Sequence, residues 1–504
     1  MRGIHSVVDE LRRSVFEEVA RMAYEDDLSR IDKLPYKIIP GEVARYRDSV
    51  FRERAIVTER LRLACGLPLR SAADYGLPSE GIEEANVPEK YYEPPLINII
   101  PFACNACPEK EMRVSSNCQG CLSHPCQAVC PKNAISTDAY GHSVIDNDKC
   151  IKCGRCVDQC PYDAISKIER PCAKACGMDA IRSDEMGRAK IDYDKCVSCG
   201  MCLVNCPFGA IADKSQIFQI IRAIKNGNQV IAILAPAFVG QFKGATVPKL
   251  RKAMRILGFA NTFEVAVGAD LCTIEEAEDF LEEVPAKQPF MGTSCCPAWS
   301  VMAKKTFPDL APYISMALTP MVLTARLVKK DFPDAKIVFV GPCAAKKLEA
   351  SRRSVRSDVD FVLTFEELNG MFAAKEIDFD YVEPDACDED FREGSGVGRG
   401  FAVVGGVAAA VRDHIAHVAP DREVPMEFAD GLRECRKMLL MARKGLRNGY
   451  LLEGMACPGG CVAGAGTITP VQQSAKNIEK YKAVAEKHSA RESSFASRLH
   501  EAEE

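Results

Sequence analysis

The chain has 504 residues, which is enough for about three domains and more than one buried core. Its 65 basic and 70 acidic residues leave a net charge of -5, and charged residues make up 27% of the total. This balance is typical of a globular protein and suggests neither a nucleic-acid-binding chain nor a long disordered one. Cysteine is the exception, because 16 of the 25 cysteines lie between Cys104 and Cys206.

Residues 1–100 are predicted to form a helical N-terminal region that ends in a proline-rich linker. Apolar residues recur there at spacings of three and four, at Val8, Leu11, Val15 and Val19. This spacing indicates a helix with one apolar face, which usually packs against a core. The four prolines within residues 87–101 disfavour regular structure and mark the start of the next domain.

The thiols are expected to bind metal in a reducing compartment. Asp9 and Glu10 interrupt the apolar residues at the N-terminus, so no secretory signal is recognised there. The longest apolar run, residues 230–239, has ten residues, whereas a membrane-spanning helix needs about 18 or more. We therefore expect a cytoplasmic protein with no membrane segment, in which clustered cysteines are metal ligands rather than disulfides.

The cysteines of residues 101–213 are predicted to hold 4Fe4S clusters. Runs that begin at Cys150 and Cys196 have the spacing C-x2-C-x2-C-x3-C-P, which is that of bacterial ferredoxins. A wider version begins at Cys118, and residues 171–181 copy its second half, so the region is a fourfold ferredoxin-like repeat. Zinc is the alternative metal for C-x2-C pairs, but the complete runs favour iron–sulfur clusters.

The sixteen thiols of this region suffice for two to four clusters, with four as the best fit. In ferredoxins the cysteine before the proline reaches the neighbouring cluster, and the same exchange assigns three sets of ligands here and leaves four cysteines for a fourth. The first two sets follow from local spacing, whereas the fourth rests on counting. The sets, from first to fourth, are Cys118, Cys121, Cys126 and Cys160; Cys130, Cys150, Cys153 and Cys156; Cys176, Cys196, Cys199 and Cys202; and Cys104, Cys107, Cys172 and Cys206.

Residues 214–470 are predicted to form an α/β domain with a mostly parallel sheet. Apolar runs at 229–234, 262–267, 336–341 and 360–365 alternate with helical patterns such as VPKLRKAMRIL and FEELNGMFAA. Residues 471–504 read as a charged helical tail. The fold class is therefore a set of α+β ferredoxin-like cluster domains followed by an α/β catalytic domain, with a helical N-terminal segment.

Three motifs in the α/β region carry most of the remaining cysteines. They are TSCCPAW at 293–299, PCAAKKLE at 342–349 and EGMACPGGCVAGAG at 453–466. Each starts where a predicted strand ends or a glycine-rich turn begins, the edge at which α/β folds bind ligands. The three motifs are very similar to the signature loops of the iron-only (FeFe) hydrogenases. The resemblance covers about residues 215–470, in the same order and at comparable spacing.

The resemblance implies an H-cluster, which is a 4Fe4S cubane linked to a two-iron unit with CO, CN and a bridging dithiolate. By this resemblance Cys296, Cys343, Cys457 and Cys461 hold the cubane, and Cys461 bridges to the two-iron unit. Lys346 matches the lysine that meets a cyanide ligand, and Met455 matches a methionine packed against the unit. Ala235 and Pro236 resemble the segment that lines the cavity.

The resemblance also implies a proton path that starts at Cys295. In the family it runs through a glutamate, a serine and a second glutamate, and Glu275, Ser315 and Glu278 lie at the matching spacings. Without the resemblance, the two glutamates would be read as the solvated face of a helix and Ser315 as a cap. Two positions depart from the family, since Gly341 replaces a methionine and Glu282 replaces the arginine at the outer end.

The sequence thus predicts an oxidoreductase that reversibly reduces protons to dihydrogen, with electrons relayed through 4Fe4S clusters. The expected partners are a ferredoxin or flavodoxin as electron carrier and the maturation proteins that build the two-iron unit, and no nucleic acid or membrane. The alternatives are a hydrogen or redox sensor, a hydrogenase-like iron–sulfur assembly factor and a simple electron-transfer subunit. Three further cysteines, Cys272, Cys387 and Cys435, are interpreted as core thiols.

Overall fold

The computed structural model describes residues 6–71, 73, 76–384 and 393–503. Cys387 lies outside these residues, whereas Cys272 and Cys435 are buried as predicted. Within the described ranges, no helix combines the length and the apolar composition needed to cross a membrane. The chain consists of a helical N-terminal region, a ferredoxin-like α+β region and an α/β region, in the predicted order.

The N-terminal region contains four helices, α1 (Val7–Glu25), α2 (Leu34–Ile38), α3 (Val50–Ala64) and α4 (Ile82–Ala85). Helix α1 begins at Val7 because the Ser6 side chain accepts the Asp9 backbone N–H and Asp9 returns the bond, which forms a capping box. Its apolar stripe is buried at Val15 and Val19, in one core with Val230 of the α/β region. The N-terminal helices therefore pack directly on the domain that carries the three motifs.

The ferredoxin-like region is built from short strands paired antiparallel: β2 (Lys110–Val114) with β5 (Ile165–Glu169), β3 (Ile135–Thr137) with β4 (Ser143–Ile145), and β6 (Ile181–Ser183) with β7 (Ala189–Ile191). Its helices are α5 (Pro125–Ala128), α6 (Arg155–Asp158), α7 (Pro171–Ala175) and α8 (Met201–Val204). The proline-rich linker was expected to lack regular structure, but β1 (Ile97–Ile99) pairs there with β8 (Ile211–Asp213). The pairing is possible because no proline falls within these three residues.

The α/β region contains two parallel sheets. The first has the order β10-β9-β12-β13, with β9 (Val230–Leu234), β10 (Asn261–Glu264), β12 (Lys336–Gly341) and β13 (Phe361–Thr364). The second has the order β11-β15-β14, with β11 (Met291–Gly292), β14 (Met426–Asp430) and β15 (Leu451–Met455). The four predicted apolar runs correspond to the strands of the first sheet. The second run ends as a strand at Glu264, because the chain turns there into a helix.

The helices of the α/β region cover both sheets. They are α9 (Ile217–Lys225), α10 (Val247–Leu257), α11 (Ala266–Glu283), α12 (Pro297–Thr306), α13 (Pro320–Asp331), α14 (Ala344–Glu349), α15 (Phe365–Ala374), α16 (Gly396–Gly400), α17 (Gly406–Val418) and α18 (Leu432–Arg443). The predicted tail forms α19 (Val471–Ala483) and α20 (Leu499–Glu503), with irregular chain and short 3-10 turns between them.

A buried ion cluster at helix α14 joins the ferredoxin-like region to the α/β region. The ammonium group of Lys347 lies 2.8 Å from Asp213, at the end of β8, and 2.6 Å from Glu367 on α15. The side chains of all three residues are at most 6% exposed. Since α14 directly follows Cys343, this cluster fixes the position of a predicted ligand relative to the ferredoxin-like region.

Replacing Lys347 with methionine is expected to destabilise the fold strongly, because the change leaves two buried carboxylates without their cation. Removing one partner of a buried pair costs about 3–5 kcal/mol. The measurement is urea unfolding of the full chain, compared with Lys437→Met at an exposed ion pair with Glu434, where a change below about 1 kcal/mol is expected. Equal stability of the two variants would contradict this role of Lys347.

Candidate functional site

The three cysteine motifs meet at one cavity, because each follows a strand of the two parallel sheets. Cys295 and Cys296 lie between β11 and α12, Cys343 lies between β12 and α14, and Cys457 and Cys461 follow β15. All five line one cavity. Carboxyl ends of parallel strands share an edge, which is the usual ligand-binding edge of such folds.

The four cysteines proposed as ligands are suited to a metal cluster. Burial raises the pKa of Cys343 to about 11, but Lys346 and backbone N–H groups of α14 oppose this rise. Burial also raises the pKa of Cys296, against backbone N–H groups of Ala456 and Trp299. N–H groups directed at sulfur stabilise the thiolate, the form that binds metal. The donor set therefore fits a thiolate-bound cluster.

The other residues of the resemblance also line the cavity. Ala235 and Pro236 follow β9, and Met455 ends β15. Lys346 is buried, and its ammonium group lies 2.7 Å from Glu349 and 3.2 Å from the Thr319 hydroxyl. Burial alone would lower the pKa of Lys346. The attraction of Glu349 is larger, so the pKa of Lys346 is raised and the ammonium group stays charged. The cavity thus presents one fixed cation on an otherwise apolar wall.

The ring of Phe339 lies against Gly341, the position where the resembled family has a methionine. A Cβ atom on Gly341 would lie 2.5 Å from the Phe339 ring and 3.1 Å from Ala235. Phe339 itself lines the cavity. The methionine side chain of the family pattern is therefore replaced here by an aromatic ring from two residues earlier, and the wall stays closed.

Cys295 faces the cavity and has a buried carboxylate behind it. Burial raises its pKa well above the ordinary value for a thiol, and Glu276 and Glu453 raise it further. Glu276 is fully buried on α11, and one of its oxygens accepts the Ser294 backbone N–H at 2.7 Å. Burial raises the pKa of Glu276 to about 8. At neutral pH both groups therefore hold protons that they can donate.

The three predicted relay residues lie around this site at different depths. Glu275 is half-buried on α11, and Glu278 is exposed and acts electrostatically on His414 of α17. Ser315 is half-buried, and its backbone N–H donates to Gly292 of β11 at 2.7 Å. Ser315 thus lies beside the strand that leads to Cys295, while the carboxylate bound next to Cys295 belongs to Glu276.

Glu276 and Glu453 were not singled out from the sequence. Glu453 lies in β15, is fully buried and accepts backbone N–H groups of Gly405 and Ala408, each at 2.8 Å. Burial raises its pKa to about 7. An acidic residue inside an apolar strand was the available signal for Glu453. For Glu276 no such signal existed, because it adjoins Glu275 in an acidic stretch.

The first two accessory sets lie together in the ferredoxin-like region. Four cysteines of the second set, with Met112 and Ile135, line a common cavity of about 330 Å³. Burial raises the pKa of Cys156, and Cys150, Cys153 and Cys126 raise it further. Because Cys126 belongs to the first set, the two sets are neighbours. Cys153 is exposed, so this end of the region reaches the surface.

The cysteines of the fourth set come together although they are far apart in sequence. Burial raises the pKa of Cys172 to about 12, and Cys206 and Cys104 contribute to the rise. Burial likewise raises the pKa of Cys107, again with Cys104 and Cys206 among the causes. The structure thus brings together the set that rested only on counting.

The third set lies between the fourth set and the cavity. Burial is the main cause that raises the pKa of Cys202. The nearby thiols of Cys199, Cys196 and Cys176 raise it further, and so does Cys172 of the fourth set. Burial raises the pKa of Cys199 to about 12, and Cys343 is among the further causes. The cysteines of the fourth set, the third set and the cavity therefore form a continuous series.

Comparisons with known protein families match three parts of the chain. The family described as "Iron only hydrogenase large subunit, C-terminal domain" matches residues 228–465. A "4Fe-4S binding domain" matches residues 143–166, and the "LdpA Fe-S cluster-binding domain" matches residues 166–217. The first match contains all three cysteine motifs, and the other two lie in the ferredoxin-like region.

Relatives fall into two groups. "Iron hydrogenase 1" of Clostridium pasteurianum is 28% identical over 446 residues, which cover 77% of this chain and 76% of that protein. "Cytosolic Fe-S cluster assembly factor narfl" of Danio rerio is 28% identical over 280 residues, 46% of this chain and 68% of that protein. Among solved structures, a variant of [FeFe]-hydrogenase HydA1 from Chlamydomonas reinhardtii has a TM-score of 0.46 at 23% identity, and the match covers 54% of this chain and 89% of that one.

Proposed function

This chain is an iron-only hydrogenase-like protein with iron–sulfur clusters, and from this we propose that it reversibly reduces protons to dihydrogen. The observation that carries the proposal is that Cys295 lines the same cavity as the four cysteines proposed as ligands. An H-cluster held by Cys296, Cys343, Cys457 and Cys461 would supply the redox chemistry. The chain itself binds that cluster, excludes water and delivers protons.

Proton delivery is proposed to run through Cys295 and the carboxylate behind it. Cys295 donates a proton into the cavity, and Glu276 returns one to the thiol, since both groups are protonated at neutral pH. Ser315 continues the path outward from β11. Glu275, which the sequence spacing predicts next to Cys295, is the alternative to Glu276 for this step, and Glu278 is the candidate from the spacing for the outer end.

The electron path is proposed to follow the order of the sulfur groups. Electrons enter at the first and second sets, pass the fourth and third sets, and reach the cubane through Cys199 and Cys343, which lie within electrostatic range of each other. The four accessory clusters would each carry one electron at a time. Lys346 would offset negative charge in the apolar cavity.

A small redox protein of the ferredoxin or flavodoxin type is the proposed electron carrier. Large apolar side chains are exposed on the region of the first two sets, including Leu122 at 99% and Tyr140 at 87%. Exposed apolar residues close to cluster ligands suit a transient protein contact. Maturation proteins that insert the two-iron unit are a further proposed set of partners.

An assembly factor is the second candidate, because the relatives include iron–sulfur assembly factors over part of the chain. A scaffold for clusters has no use for a thiol and a carboxylate that hold exchangeable protons at the cavity. Cys295 and the buried Glu276 therefore favour the hydrogenase over the scaffold. A sensor would share both groups and differ only in its rate of turnover.

Loading the apo-protein with a synthetic two-iron complex tests the proposal. We expect hydrogen evolution from a reduced dye and infrared bands of bound CO and CN. Protein that receives cubanes only, without the two-iron complex, is the control and is expected to evolve no hydrogen. Loaded protein that shows the infrared bands but no turnover would favour the assembly factor, and the lack of these bands would refute the H-cluster.

A further inference from the structure

Buried and half-buried arginines lie beside the fourth set of cysteines, and two of them come from the N-terminal helical region. The Arg60 guanidinium on α3 donates to the Gly209 carbonyl, three residues after Cys206. Arg47 donates to the Phe208 carbonyl at 2.6 Å. On the opposite side, Arg170 donates to the Cys107 carbonyl at 2.6 Å and 3.0 Å. We call Arg47, Arg60 and Arg170 the arginine collar.

The collar carries charge that no ion pair neutralises. Arg60 is 6% exposed and Arg170 is 2% exposed. In the part of the chain that the structure describes, all three collar residues donate their hydrogen bonds to uncharged oxygens, and none forms an ion pair with a carboxylate. Burial lowers the pKa of Arg60 to about 10, so it stays positive at neutral pH.

A buried charge needs a nearby anion to offset its cost, and the carboxylates of Glu366 and Asp48 favour the charged forms of Arg60 and Arg47 less strongly than Cys206 does. Cys206 acts on both Arg47 and Arg60 and favours their charged forms. Arg170 in turn lowers the pKa values of Cys107 and Cys172 against the effect of burial. A cubane held by four thiolates is negative and becomes more so on reduction, which makes it the natural partner of the collar.

The other sets lack such a collar. Lys132 and Arg155 border the second set but are exposed, where solvent screens their charge. At the third set, Lys305 donates to the Cys196 carbonyl from an exposed position. Arg433 and Arg436 also reach that set, but both lie in ion pairs with Asp179. Among the cations that these contacts place beside an accessory set, Arg60 and Arg170 are therefore the two that are buried and form no ion pair within the described residues.

We infer that the arginine collar raises the reduction potential of the cluster held by Cys104, Cys107, Cys172 and Cys206 above the potentials of the other accessory clusters. This inference rests on the proposed electron path. A nearby positive charge stabilises the more negative, reduced state, and net charge, hydrogen bonding and solvent exposure set cluster potentials. The cluster would then be reduced first and would hold an electron ready for the third set. The N-terminal region thereby acquires a role in electron storage.

The test is a potentiometric titration of the reconstituted full chain, followed by electron paramagnetic resonance. Replacing Cys104 with serine identifies the signal of this cluster as the one that is lost or altered. In Arg60→Gln, one-electron reduction of that cluster is expected to become at least about tenfold less favourable, or about 59 mV lower. Arg60→Lys keeps the charge and is expected to restore the potential. Arg113→Gln, at an exposed pair with Glu111, is the control and is expected to leave it unchanged.

The outcomes separate this inference from the proposed ligand sets. If Cys104→Ser leaves the iron content and every signal unchanged, the fourth set is not a cluster site, and both ideas fail. If one signal is lost but Arg60→Gln leaves its potential unchanged, the ligand set stands and the collar is refuted. The collar is also refuted if this cluster has the lowest potential of the series. Should Arg60→Gln fail to fold, Arg47→Gln is the replacement, since Arg47 is less deeply buried.

Discussion

In the Cys295→Ala variant, loaded with a synthetic two-iron complex, we expect hydrogen evolution to fall about 100-fold to 10,000-fold, the usual range for loss of a general acid. Cys295 lies in the cavity with the ligand cysteines, and its raised pKa keeps the thiol protonated. Alanine removes this proton donor but no proposed ligand. The infrared bands of CO and CN are therefore expected to persist while turnover is lost.

A matched control for this variant is Cys65→Ala. Cys65 is equally a small thiol and is fully buried, but it lies in the N-terminal region outside the cavity. The control is expected to keep its hydrogen evolution within about a factor of two, provided that it folds. If Cys295→Ala retained a comparable rate with intact infrared bands, Cys295 would not be the proton donor, and the proposed path would have to begin at another group.

The strands and the cysteine motifs were predictable from the sequence because both are local signals. Four apolar runs correspond to strands β9, β10, β12 and β13. The motifs follow strand ends, and parallel strands bring their carboxyl ends to one edge regardless of distance along the chain. The convergence of distant cysteines in one cavity therefore follows from the class of fold.

The helix faces were less predictable, since a shift of one position on a helix rotates the side chain by about 100°. Glu275 and Glu276 are neighbours in sequence, but only Glu276 is fully buried and bound to the Ser294 backbone. A loop separates α11 from β11 and Cys295. Because the path of this loop cannot be predicted from the sequence, the number of residues between Cys295 and a glutamate does not show which side of α11 faces Cys295. The packing of α11 therefore adds Glu276 as a candidate beside Glu275, which the sequence spacing predicts.

The role of the N-terminal region was hidden for a related reason. The apolar stripe of α1 predicts that it packs, but it does not name the surface that receives it. The arginines of residues 47–60 read as ordinary surface charges in the sequence. Only the tertiary structure shows that Arg47 and Arg60 turn toward the carbonyls that follow Cys206.

Replacing Glu276 with glutamine is expected to lower hydrogen evolution about 100-fold or more, the effect of removing a proton-transfer group. The amide oxygen of glutamine can still accept the Ser294 N–H, so the loop that holds Cys295 should keep its position. The amide cannot exchange a proton near neutral pH, whereas the pKa of Glu276, raised by burial to about 8, allows exchange. The loss should therefore appear in turnover, with unchanged infrared bands.

The neighbouring variant Glu275→Gln is the decisive control, because it removes one carboxylate from the same turn of α11. Glu275 is half-buried, and its side chain leaves the helix in a different direction from that of Glu276. We expect its rate to stay within about threefold of the wild type when both variants are loaded and assayed together. The reverse order of effects would place the proton path through Glu275, as the spacing in the sequence predicts, and would assign the buried Glu276 to holding the Cys295 loop.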